Sequence, residues 1–60
     1  MNLRILDHDG VFKWYTGTDN VGTPLFSAKQ EDARLLIDKT AALRVANLCA
    51  DHGFDVEIML

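Results

Sequence analysis

The sequence predicts an α+β fold: a small, mainly antiparallel sheet of three or four strands with one helix packed on one face, in the order β-β-loop-β-α-β. Three observations predict it. A strand-like pair of segments brackets a polar reversal near the start. An alanine-rich stripe of helical period occupies the middle. The chain closes on Phe54, Val56, Ile58 and Leu60 alternating with Asp55, Glu57 and Met59. The chain has 60 residues, 48% of them hydrophobic and 25% charged, so residues 1–60 form a single globular domain near the lower size limit for independent folding.

Leu3-Arg4-Ile5-Leu6 opens with period-two alternation, and Asp7-His8-Asp9-Gly10 supplies the small polar residues and the glycine of a tight reversal. The return strand, Val11 to Thr16, is β-branched and aromatic, which suits a pleated, half-buried surface. Gly17 to Pro24 is rich in glycine and Asx residues and predicts a mobile exposed loop, after which Leu25-Phe26 anchors the chain again. Gln30-Glu31-Asp32-Ala33 predicts a helical turn, and Arg34-Leu35-Leu36-Ile37 a third strand. Asp38 is a suitable N-cap, because its carboxylate can accept an unpaired amide of the first helical turn. Ala42, Val45, Ala46 and Cys49 then fall on one helical face, widened by Ala41 and Leu48. Gly53 suits the left-handed position after the helix, with Phe54 packing back on Cys49 or Leu48.

Charge and cysteine content narrow the function classes. The formal net charge is −3, and Arg4, Lys13, Lys29, Arg34, Lys39 and Arg44 are dispersed, so no phosphate-binding stripe forms and nucleic acid is disfavoured as a partner. Trp14 and Tyr15 could stack on bases, but only Lys13 is adjacent to hold a backbone. The single cysteine, Cys49, cannot make an internal disulfide. With neither a membrane-length apolar run nor a signal peptide, the expected location is the cytoplasm, away from membranes.

Chemistry-bearing groupings are few. Asp7-His8-Asp9-Gly10 lacks the later oxygen ligands of a calcium loop, since Val11, Lys13 and Tyr15 stand there, and it reads as a hairpin turn. Cys49 and His52 could converge on zinc with His8 or Asp51, yet a core cysteine and a histidine at a helix end account for both residues. Nucleophilic catalysis would need Ser27, Cys49 or a threonine beside His8 or His52, together with oxyanion donors and an enclosed cleft. No catalytic, cofactor or metal residue is therefore assigned, and the expectation is a non-enzymatic domain without cofactors.

The layout resembles short phage and prophage proteins of unknown function. The likeness runs through the opening hairpin, Glu31-Asp32-Ala33-Arg34, a strand, a helix with Ala46-Asn47-Leu48, and Gly53-Phe54-Asp55-Val56-Glu57. The resemblance implies an origin on a mobile element, action in the host cytoplasm, and a role such as inhibition of a host-defence complex, anti-CRISPR proteins among them.

One helix covers one side of a small sheet, so the other side is left for contact. Trp14, which shares its face with Phe12, is the expected core aromatic, and Tyr15 the exposed one. Lys13, Tyr15, Leu36, Asp55 and Glu57 are the expected protein-interaction residues. The expected function is a protein–protein interaction module docking on a larger complex; a self-associating homodimer is the alternative, and a nucleic-acid accessory protein the weaker one.

Overall fold

The computed structural model describes residues 1–60. Strands β1 (Asn2–Leu6) and β2 (Phe12–Thr18) pair antiparallel, with Leu6 opposite Phe12, Ile5 opposite Lys13 and Arg4 opposite Trp14. The reversal between them is closed by two backbone bonds, Asp7 N–H to Val11 O and Gly10 N–H to Asp7 O, both 2.9 Å, with Gly10 at φ 84°. This is a turn followed by a left-handed residue, the usual three-residue hairpin solution.

The same device recurs. Asp19 N–H donates to Thr23 O at 3.0 Å and Gly22 N–H to Asp19 O at 3.2 Å, with Gly22 at φ 86°. It connects β2 to β3 (Pro24–Ser27), which pairs antiparallel with Tyr15 opposite Phe26 and Gly17 opposite Leu25, a register shift that marks a bulge at Thr16. The stretch from Gly17 to Pro24 is thus not the expected loop. Two backbone bonds and the Asp19 carboxylate, which accepts from Val21 N–H at 3.0 Å and Thr23 N–H at 2.9 Å, hold it as a hairpin.

A short 3-10 turn, Gln30–Asp32, follows β3 and packs on β2. The segment Arg34 to Ile37, expected as the third strand, is not a strand. It runs between Met1, just ahead of β1, and the middle of β2: Arg34 N–H donates to Tyr15 O at 2.8 Å, and Leu36 exchanges bonds with Met1 at 2.7 and 2.9 Å. That exchange turns Leu36 inward to 8% exposure and leaves Leu35 at 75% and Ile37 at 94%, the reverse of the expected orientation.

Helix α1 (Lys39–Asp51) starts where expected, with the Asp38 carboxylate accepting from Ala41 N–H at 2.9 Å. It ends on Gly53 at φ 85°, with Gly53 N–H to Ala50 O at 3.0 Å and Phe54 N–H to Cys49 O at 2.8 Å. This Schellman pairing satisfies the last carbonyls. The chain then enters β4 (Glu57–Met59), antiparallel to β1, giving one open sheet of order β3-β2-β1-β4. The strand is shorter than the alternating run from Phe54 to Leu60, and Leu60 at its end is fully exposed.

The core lies between helix and sheet. Leu3, Tyr15, Leu36, Ala42 and Cys49 form its buried centre, with Phe26, Ala41, Val45, Phe54, Val56 and Ile58 packed around them. Phe26 links Tyr15 and Phe54, at ring-centroid distances of 6.2 and 4.9 Å. Tyr15, not Trp14, is therefore the aromatic under the helix. The hairpin register decides this: Arg4 faces Trp14, so the core residue Leu3 falls on the Tyr15 side of the sheet.

Candidate docking face

The sheet face away from the helix is built by the opposite parity of the same strands. A row crosses it through the paired residues Glu57, Arg4, Trp14 and Ser27, flanked on one side by Leu6 opposite Phe12 and on the other by Asn2 opposite Met59. Arg4 is its organising residue. Its Nε donates to Glu57 Oε1 at 2.7 Å, and its guanidinium lies 4.0 Å from the Phe12 ring centroid and 5.8 Å from that of Trp14. An arginine over an aromatic face gains about 0.5–1 kcal/mol at exposed sites, so the cation is held by stacking as well as by its ion pair.

Exposure is uneven across this face. Trp14 is 8% exposed: Arg4 lies over it, and the turn at Gln30–Asp32 is tied to its cross-strand neighbour Ser27, whose hydroxyl donates to Asp32 Oδ2 at 3.0 Å. Beside this closed region Leu6 is 60% and Phe12 42% exposed. The face thus presents two adjacent apolar side chains next to a fixed cation and the Glu57 carboxylate. Asn2 Oδ1 is buried here with no hydrogen-bond donor from the protein.

The expected contact residues are divided by this arrangement. Glu57 lies on the face, and exposed Asp55 shares its parity. Tyr15 and Leu36 do not: both are buried in the core, so neither can meet a partner without unfolding. Lys13 belongs to the helix side of the sheet, where its ammonium pairs with Asp7. That contact and the His8 backbone N–H hold the Asp7 carboxyl below its ordinary value, and Asp7 in turn raises Lys13. Sequence reasoning missed Leu6, Phe12 and Arg4. Their signal was parity: Leu3 and Ile5 face the core, so Arg4 and Leu6 face away, and Phe12 lies opposite Leu6.

The remaining polar groups are scattered. Burial pushes both the Cys49 thiol and the Tyr15 phenol upward. His52 Nδ1 lies 3.0 Å from Leu48 O at the helix end, and His8 is 2.7 Å from Asp7 in the first turn. No three histidine, cysteine or acidic side chains converge as a metal set would, and the one depression is an open hollow at Asp19, Asn20 and Val21. No helix is long and apolar enough to cross a membrane. No family model matches the chain, and neither a curated protein nor a solved structure does.

Proposed function

We propose that this domain is a non-enzymatic protein-binding module that docks through the sheet face away from the helix. The observation that carries the proposal is the pairing of exposed Leu6 and Phe12 beside an arginine already immobilised on Phe12 and Glu57. Binding hot spots favour aromatic and arginine side chains whose surroundings exclude water, and an anchor ordered beforehand loses less entropy on docking. The layout-level likeness to short phage proteins supplies the class of partner, a larger host complex, and that part rests on the likeness alone.

The test uses the immobilised domain, lysate of the host cell, and the double variant Leu6→Ser/Phe12→Ser, whose fold is checked by circular dichroism. Partners retained by the unaltered domain and lost by the folded double variant support the reading. Equal retention by both overturns it. Sedimentation equilibrium covers the alternative: a dimer that the same variant dissolves makes a second copy the partner, and the module a homodimer.

A further inference from the structure

The two edges of the sheet are not equivalent. On β3, Pro24 offers no N–H, and Ser27 at the other end is bound to the turn that follows. Proline, lysine and bulges are the common devices that keep an edge from accepting another strand. β4 is only three residues long and carries the charged Glu57, but it has no proline, lysine or bulge, and its outer side has no neighbour in the sheet. Through Phe54–Val56, which lead into β4, and on to Ile58 the side chains alternate: Phe54, Val56 and Ile58 are half-buried against the core, while Asp55 and Glu57 are exposed. Glu57 meets only Arg4, and Asp55 has no ion-pair partner.

Charge selects among the possible occupants. The longest antiparallel pairing of two copies over Phe54 to Leu60 is centred on Glu57 and sets the two Glu57 carboxylates against each other. Like charges directly opposite are destabilising in a sheet, and opposite charges favourable. A strand whose outward residues are basic reverses the sign at both acidic positions, while apolar residues at its alternate positions continue the layer made by Val56 and Ile58.

We infer that the open edge of β4 is a strand-addition site for an extended segment of another protein in which apolar and basic residues alternate. Main-chain bonds to the edge supply affinity, and Asp55 and Glu57 select the basic residues. The inference does not rest on docking by Leu6 and Phe12, since it uses the rim of the sheet and needs neither side chain.

The experiment titrates the isotopically labelled domain with three capped heptapeptides and reads amide shifts and hydrogen exchange. They are Lys-Val-Lys-Val-Lys-Val-Lys, its counterpart with Glu for Lys, and the Lys peptide methylated at every backbone nitrogen. The first is expected to perturb residues 55–59 and slow their exchange, the second to bind more weakly, and the third to give no protection. Asp55→Lys, which leaves the Arg4–Glu57 pair in place, should weaken the first peptide by about two- to fivefold, the size of one exposed charge pair. Equal binding of the methylated peptide would reduce the effect to charge attraction and overturn the inference. Protection confined to residues 24–27, or no response from residues 55–59, overturns it equally. Loss of Phe12 contacts in the lysate experiment leaves this result untouched, so the two readings fail separately.

Discussion

The two faces of this sheet use the same strands for opposite purposes. On the helix side, Leu3, Tyr15, Ala42 and Cys49 exclude water, and Lys13 at the rim is neutralised by Asp7. On the other side, Arg4 holds one oxygen of the Glu57 carboxylate beside Leu6 and Phe12, which stay exposed, and Asn2 Oδ1 has no donor from the protein. Each face has one ion pair and large apolar residues, so composition does not separate them. What separates them is closure: the helix seals one, and only Arg4 and a short turn shelter part of the other. In a 60-residue domain with a small core, stability is concentrated on the sealed side, which leaves the open side free to carry contact residues.

The largest effect that could break this contrast is a truncation at equivalent strand positions. Leu3→Ala empties a fully buried site between β1 and the helix, and such core truncations cost about 2–5 kcal/mol. For so small a domain that approaches its whole stability. Leu6→Ala, three residues along the same strand but on the open face, is expected to change stability by about 0.5 kcal/mol or less, as surface substitutions do. Urea unfolding of the two variants reads the difference. Similar losses would mean that Leu6 is structural, and the open face would no longer stand apart.

A smaller effect sharpens the contrast through pH. The Lys13 contact, then the His8 backbone N–H, lowers Asp7 below the ordinary 3.8, so the folded state holds this carboxylate ionised more strongly than the unfolded chain does. Its contribution is fully present above that value and disappears as pH falls through the lower folded value. Lys13 is raised above 10.5, chiefly by its hydrogen bond to Asp7, so its contribution is complete below that pH and disappears on rising through the higher folded value. Asp7→Asn should lower the melting temperature near neutrality and flatten the acid limb, with the gap to the parent closing once Asp7 of the parent is protonated. Thermal scans from about pH 2 to 7 check it, and an unchanged acid limb in the variant removes Asp7 as the source.

The two turns explain which parts of the fold were legible. Asp7-His8-Asp9-Gly10 and Asp19-Asn20-Val21-Gly22 share the Asp-x-x-Gly pattern and make matching backbone bonds. The first is legible because clear strand residues flank it. The second reads as a loop because the glycines, Asx residues and proline between Gly17 and Pro24 are poor strand formers. Yet Gly17 pairs beside the Thr16 bulge and Pro24 tolerates an edge, both settled by tertiary pairing. Helix α1 and its caps were legible because they rest on local hydrogen bonds at Asp38 and Gly53. Leu36 was not, because its orientation is set by Met1, which is distant in sequence. The open face was half legible: Glu57 followed from the alternation of the last strand, whereas Arg4 and Phe12 needed the hairpin register.

The smallest effect concerns Arg4 itself and decides how firmly the open face is organised before anything docks. A simple exposed ion pair with Glu57 would show a coupling of about 0.2–1 kcal/mol that fades with salt. Stacking on Phe12, about 0.5–1 kcal/mol, depends less on salt because the guanidinium sits against a ring rather than a distant charge. A double-mutant cycle on Arg4 and Glu57, compared with one on Arg4 and Phe12 at low and high salt, separates the two contacts. The Glu57 coupling is expected to shrink as salt rises while the Phe12 coupling persists. That outcome places the fixed cation on the ring next to Leu6, where a preformed contact site requires it. If both couplings vanish together, Arg4 is mobile in solution, and the open face loses the feature that distinguishes it from an ordinary wet sheet surface.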